Sequence, residues 1–161
     1  MSGRIPWPVP EPHLPSGAHP APAVATRAAT DAFRAAREAY DRAQLAKKVR
    51  VGADGTPTMR LDILVDTAMA EVVNAHRINL LSEELGHIDN GSAVTLVTDP
   101  VDCTANAASG VLSAFAGVIA VDGVPTEALA SWLDTGRCWH TVAGRPSAYR
   151  TKAVRSWTAR W

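Results

Sequence analysis

Two aspartates separated by a proline and one further residue have the types and spacing to bind a cation. Asp99 and Asp102 flank Pro100 and Val101, and they follow a β-branched run, Val94 to Thr98, that predicts a strand stopped by the proline. Two carboxylates held so close repel each other unless a positive charge lies between them. Oxygen ligands favour Mg²⁺ over zinc or copper, and we expect the Val101 carbonyl to be one of them.

A second acidic group, Glu83-Glu84, follows a predicted strand over Asn79 to Ser82, at a level of the sheet similar to that of Asp99. The residues alone leave another interpretation open. In that interpretation Asp99 and Asp102 are turn and cap residues, and the two glutamates are a solvated surface pair. The combination of the two segments favours the metal site.

These segments resemble the signatures of a known family. Ser82-Glu83-Glu84, followed by Asp99-Pro-Val-Asp102-x-Thr104-x-Asn106, is similar to the two signature stretches of the inositol monophosphatase family. The family comprises Mg²⁺-dependent, lithium-sensitive phosphatases and includes fructose-1,6-bisphosphatases and phosphoadenosine phosphatases. Upstream, Asp54-Gly-Thr-Pro57 and Asp62 resemble its substrate-side loop and helix-opening aspartate. The similarity extends from about residue 26 to about residue 150.

The resemblance implies a division of labour among these residues. The implied metal ligands are Glu84, Asp99, the Val101 carbonyl and Asp102. Asp62 and Thr104 are implied to orient and deprotonate the attacking water. The backbone amides of Cys103 and Thr104 are implied to receive the phosphate oxygens, with Glu83 and Asn106 in supporting positions.

The chain departs from the family pattern at three places. Cys103 stands where family members usually have glycine, so a positive φ there would cost about 1 kcal/mol. Met59 stands where they often have threonine. Family members also continue into a C-terminal half with a further metal-ligand aspartate, so we predict a truncated member. We interpret Trp132-Leu133-Asp134 as surface strand rather than as that ligand segment.

The order of elements predicts an α+β fold that corresponds to the N-terminal half of the layered sugar-phosphatase fold. Two helices, over Thr26 to Lys48 and Leu61 to Arg77, would pack on a mainly antiparallel sheet. We expect a proline-rich disordered leader over residues 1–25, an inositol monophosphatase-like domain over 26–150 and an aberrant basic tail over 151–161. A frameshift near Ala153 is our hypothesis for the tail.

Composition narrows the classes of function. The 161 residues are 47% hydrophobic, and 16 basic residues balance 16 acidic ones, so no net field favours nucleic acid or a membrane. Two cysteines and the absence of an apolar leader indicate a cytoplasmic protein.

We therefore expect Mg²⁺-dependent hydrolysis of a small phosphate monoester, with inositol phosphate as the family's default substrate. Fructose-1,6-bisphosphate and phosphoadenosine phosphate are alternative substrate classes. A truncated, inactive remnant that retains partial metal binding is the alternative function. An exposed outer face of the sheet would favour marginal stability or a homo-oligomer.

Overall fold

The body of the protein is a sheet with its helices packed on one face. The computed structural model describes residues 8–142 and the strand Arg145–Ala148. The helices are α1 (Pro20–Ala39), α2 (Arg42–Leu45), α3 (Arg60–Ala75) and α4 (Thr104–Ser109). The strands are β1 (Lys48–Val51), β2 (Pro57–Met59), β3 (Asn79–Ser82), β4 (Gly86–Ile88), β5 (Val94–Asp102), β6 (Ala114–Val121), β7 (Val124–Trp132), β8 (Cys138–Val142) and β9 (Arg145–Ala148).

Seven strands form the main sheet, in the order β4-β3-β5-β6-β7-β8-β9, and β1 and β2 form a separate antiparallel ribbon. Only β3 and β5 pair in parallel; every other neighbouring pair among these described strands is antiparallel. The prediction of an α+β fold with two helices on a mainly antiparallel sheet is confirmed.

The core lies between the sheet and the pair α1 and α3. Phe33 from α1, Met69 from α3, and Leu96 and Phe115 from the sheet are all fully buried. The opposite face of the sheet is open, with Val97 37% exposed and apolar neighbours beside it, as the sequence predicted. No helix among the described residues has the length and apolar content needed to cross a membrane.

Helix α1 begins six residues earlier than predicted, and it also ends earlier. Pro20 opens the helix, because proline has no amide hydrogen to lose at the first helical position. Ala21 and Ala25 are buried, and so is Val9, which means that residues 9–25 pack on the body instead of forming a disordered leader. The helix stops at Ala39 because Asp41 caps the separate helix α2.

The prediction that the strand stops at Pro100 is also wrong. Strand β5 continues through Pro100 to Asp102, and the pairing with β6 shifts register between Asp99 and Asp102. A bulge accommodates a proline because the bulged residue needs no ladder hydrogen bond.

Asp134 is not on a surface strand. Its carboxylate faces the buried Arg37 guanidinium at 2.9 Å and accepts a hydrogen bond from the Ser113 amide at 3.1 Å. The predicted basic tail, residues 151–161, lies outside the described residues.

Candidate active site

The predicted site residues meet at one end of the sheet. The end of β5, the start of α4, the first turn of α3 and the β3–β4 turn surround a cleft of about 380 Å³. Its lining includes the predicted residues Asp62, Glu83, Glu84, Asp99, Val101, Asp102, Cys103 and Thr104. Asn106 lies on α4 outside this lining. Segments up to 42 residues apart in the chain therefore share one cavity.

Thr104 and Asp62 form the closest contact in the cleft. The Thr104 hydroxyl donates a hydrogen bond to Asp62 Oδ1 and lies 3.0 Å from the Val101 carbonyl oxygen. Asp62 also accepts a hydrogen bond from the Met59 amide at 3.3 Å, as an acidic residue in the first turn of α3. Both interpretations of Asp62, helix-terminal residue and partner of Thr104, therefore hold together.

The bulge in β5 positions Asp99 and Asp102. The Val101 amide donates a hydrogen bond to Asp99 Oδ1 at 3.2 Å. Cys103 follows with φ 62° and ψ 53°, the left-handed conformation that turns the strand into α4. Its exposed thiol donates to Asp102 Oδ1 at 3.3 Å, and this bond raises the pKa of Cys103. The thiol is thus less reactive than an ordinary cysteine at neutral pH.

Glu84 is held on several sides by the β1–β2 ribbon and the turn between its strands. The Thr58 hydroxyl donates a hydrogen bond to Glu84 Oε2, and the Ala53 amide donates to the Glu84 carbonyl at 3.1 Å. Gly52 lies against the carboxylate, and a Cβ placed there would clash with Glu84 Oε2 and lie 2.8 Å from Thr58 Oγ1. A larger residue would therefore force these two side chains to move.

The electrostatics of the cleft oppose ionisation. Burial raises the pKa of Asp62 to about 6. The hydrogen bond from Thr104 lowers this pKa, and the charge of Glu84 raises it further. Burial and the neighbouring charges of Glu83, Asp102 and Glu84 raise the pKa of Asp99 to about 6. These carboxyl groups therefore begin to protonate close to neutral pH.

Asp66 and Gly52 are residues that the sequence reasoning missed. Asp66 lies one turn after Asp62 on α3, is fully buried, and accepts a hydrogen bond from the Ser82 hydroxyl at 2.5 Å. The spacing of four residues from Asp62 is a signal that could have found it. Gly52 has no such signal, because its role depends on a close approach to a residue 32 positions away.

The oxygen atoms of the cleft are of the type that binds a hard cation, although the side chains do not converge on one metal position. Within the described ranges, no group of three or more His, Cys, Asp and Glu side chains lies in position to hold a metal ion. Asp99, Asp102 and Glu84 instead accept hydrogen bonds from protein groups. Their oxygens nevertheless line one cleft, and the charges of Asp99 and Glu84 raise the pKa of neighbouring carboxyl groups. A divalent cation would relieve that repulsion.

Comparison with known proteins connects this fold and cleft to a class of phosphatases. No family model matches the chain. A segment of 65 residues, 40% of this chain and 25% of the relative, is 37% identical to a fructose-1,6-bisphosphatase/inositol-1-monophosphatase of Archaeoglobus fulgidus. The crystal structure of an inositol monophosphatase-fructose 1,6-bisphosphatase has a TM-score of 0.64 at 24% identity, over 80% of this chain and 51% of that one. Inositol monophosphatase II of Staphylococcus aureus has a TM-score of 0.58 at 20% identity, over 81% and 47%.

The fold is thus that of the layered sugar phosphatases, and this chain spans about half the length of the structures that it matches. Sequence similarity and fold agree on the same group. Over that segment the chain is similar in sequence to a fructose-1,6-bisphosphatase/inositol-1-monophosphatase, and its fold is that of inositol monophosphatase structures.

Proposed function

We propose that this chain carries the Mg²⁺-dependent site of a phosphatase that hydrolyses a small phosphate monoester. The contact between the Thr104 hydroxyl and Asp62 Oδ1, inside a cleft lined by carboxylates, is the observation that supports it best. A structural turn needs no part-buried hydroxyl–carboxylate pair in a cleft lined by four more acidic residues. Family relatives are phosphatases, which supports the same class of reaction.

The metal ligands we propose are Glu84, Asp99, the Val101 carbonyl and Asp102, with Glu83 close by. Oxygen ligands of this kind are those that Mg²⁺ prefers. When bound, Mg²⁺ would acidify a coordinated water and stabilise the charge that develops on the phosphate oxygens.

Asp62 and Thr104 would together serve as the general base of the site. A threonine hydroxyl is a weak base by itself, so it needs an acceptor for its proton. Asp62 Oδ1 accepts the Thr104 hydrogen bond, and its pKa of about 6 lies close to the operating pH, where a general base works best. We propose that the hydroxyl orients the water and that Asp62 takes up the proton.

The phosphate would bind at the turn from β5 into α4. Cys103 adopts the left-handed conformation there, and the following amides open the helix at Thr104. We propose that the amides of Cys103 and Thr104 donate hydrogen bonds to phosphate oxygens. Asn106, on the next part of α4, would support the turn.

Inositol phosphate is the substrate we propose first, with fructose-1,6-bisphosphate and phosphoadenosine phosphate as alternatives. Similar proteins of this fold have been solved with inositol monophosphate and with 2′-AMP bound, which supports a small phosphorylated substrate.

The two cysteines are free thiols, which suits a reducing, cytoplasmic compartment. The open apolar face of the sheet supports self-association.

A catalytically inactive remnant is the second candidate. The observation that favours it is that, within the described residues, no group of three or more His, Cys, Asp and Glu side chains is in position to hold a metal ion. Partial metal binding without turnover would then be its property.

Phosphate release by the purified chain tests the proposal. Inositol 1-phosphate, fructose-1,6-bisphosphate and phosphoadenosine phosphate are each supplied with and without Mg²⁺. We expect release that requires Mg²⁺, that falls by at least about 100-fold in Asp99→Asn, and that is unchanged in Asp122→Asn, a carboxylate of the distant β6–β7 turn. Absence of release from a folded protein that still binds Mn²⁺ would favour the remnant.

A further inference from the structure

The buried carboxylate of Asp66 has no place in the chemistry described so far. Its side chain is fully buried on α3, one turn beyond Asp62. One oxygen, Oδ2, accepts the Ser82 hydroxyl hydrogen bond at 2.5 Å, while Oδ1 is buried and has no partner among the described residues. Burying a carboxyl oxygen without a hydrogen bond costs free energy, and nothing in the core packing of the described residues compensates for it.

The contact of Asp66 leads to the glutamate pair through Ser82. Ser82, which precedes the pair, donates its hydroxyl hydrogen to Asp66 and accepts the Glu84 amide hydrogen bond at 3.3 Å. One carboxylate on α3 is therefore connected through a single hydroxyl to the backbone of Glu84.

The backbone of the β3–β4 turn is also hydrogen-bonded at the Glu84 carbonyl. The Glu84 carbonyl accepts hydrogen bonds from the Ala53 amide at 3.1 Å and from Arg50 Nη2 at 3.3 Å. Both donors are exposed residues of the β1–β2 ribbon, whereas Asp66 belongs to a helix packed in the core. The link through Ser82 therefore connects the Glu84 backbone to a core helix, in addition to the hydrogen bond that the buried Thr58 hydroxyl donates to the Glu84 carboxylate.

We propose that Asp66 is a positioning residue for the candidate metal site, and that it orients Glu84 through the Ser82 hydroxyl. The inference rests on the proposed function, because Glu84 matters in this way only if it is a metal ligand. Groups that orient metal ligands without touching the metal typically change its affinity 10–100-fold when they are removed.

Binding of Mn²⁺ alone to the full chain tests the inference, with the free ion followed by electron paramagnetic resonance at pH 7.5. Ser82→Ala removes the link and changes no charge, so we expect its Kd for Mn²⁺ to rise about 10-fold. Ser82→Thr keeps a hydroxyl at the same position and is expected to restore affinity to within about 3-fold of wild type. If Ser82→Ala does not fold, Asp66→Asn, which keeps the side-chain shape, takes its place and is expected to bind Mn²⁺ at least 10-fold more weakly.

Asp134→Asn is the matched control, because it also converts a largely buried carboxylate to an amide but lies in another part of the fold. Its Kd is expected to stay within about 2-fold of wild type, even where its melting temperature falls. A merely structural role for Asp66 would give the same pattern in both positions, with lower melting temperature and unchanged Kd, and would overturn the inference. A wild-type chain that binds no Mn²⁺ would overturn the metal site and this inference together, whereas equal affinity in wild type and Ser82→Ala would overturn the inference alone.

Discussion

Two sets of largely buried carboxylates in this protein have opposite surroundings. Near α1, Asp134 pairs with the Arg37 guanidinium at 2.9 Å, and Glu127 lies 3.0 Å from the His140 imidazole. Around the cleft and α3, Asp62, Asp66 and Asp99 form no ion pair with any residue of the described ranges, and their neighbours include further acidic groups.

This difference separates a structural use of charge from a functional one. A buried charge paired with its opposite is neutralised by the protein itself. A group of carboxylates that form no ion pair keeps an energetic demand for positive charge, which appears as raised pKa values near 6, even though the Arg50 charge lowers the pKa of Asp66.

The largest effect on stability is expected from removing the cation of the Arg37–Asp134 ion pair. Arg37 and Asp134 have side-chain exposures of 3% and 12%, so Arg37→Met leaves a nearly buried charge without its partner. We expect the free energy of unfolding, measured in urea, to fall by about 3 kcal/mol. The double variant Arg37→Met/Asp134→Leu removes both charges and should lose much less. Equal losses in the single and double variants would show that packing, rather than charge, is responsible.

A side chain at Gly52 tests the close approach to Glu84. The Cβ of Gly52→Ala would meet Glu84 Oε2 and Thr58 Oγ1 inside contact distance, so we expect a loss of about 2 kcal/mol in unfolding free energy. In a Glu84→Ala background the cost should fall by at least half, because one of the two clashing atoms is gone. The same cost in both backgrounds would contradict this packing.

The stability of the metal-free protein should fall as the pH rises from 5 to 7. The carboxyl of Asp66 has its pKa raised by burial from 3.8 to about 6, so the folded state holds a proton that the unfolded chain has already lost. Its contribution is complete below pH 4 and is lost as the pH rises through 6.

Asp66→Asn removes that dependence and is expected to reduce the difference in unfolding free energy between pH 5 and 7 by about 1 kcal/mol. Urea unfolding at both pH values in a chelating buffer measures it. Asp122→Asn, an exposed carboxylate, should leave the difference unchanged. A stability that rises from pH 5 to 7 in the wild-type chain would be the opposite of what the cleft requires.

The smallest effect is expected at Cys103. Its φ of 62° suits glycine, so Cys103→Gly relieves backbone strain and should raise the unfolding free energy by about 0.5 kcal/mol after the entropy cost of glycine. Cys103→Ala keeps the Cβ and the strain, and should show no such gain. Equal stability of the two variants would place the strain elsewhere.

Much of the framework could be predicted because its signals are local. An Asp-Gly pair between two apolar runs, such as Asp122-Gly123 between β6 and β7, is a local hairpin signal, and the bounds of β3 agree with the prediction. Cys103 was expected to meet a conformational cost if φ were positive, and φ is positive.

The missed features depend on contacts between distant segments. Counting prolines near the amino terminus predicted a disordered leader, although Pro20 is compatible with the start of a helix whose buried face packs on the body. The roles of Gly52 and Asp66 arise from the β3–β4 turn, which only the folded chain brings to them. The order of elements could place the carboxylates at one end of the sheet, but not the partner of each oxygen.

Cation binding by the cleft carboxylates is tested most simply by the melting temperature at pH 7.5 with and without Mg²⁺, for the wild-type chain and Asp99→Asn. An ion that neutralises the uncompensated cleft stabilises the folded state by about 2.7 kcal/mol at 100 times its Kd. For this chain length we expect a rise of several degrees in the wild type and essentially none in Asp99→Asn. No rise in the wild type, or an equal rise in both proteins, would contradict the claim that these carboxylates bind a cation.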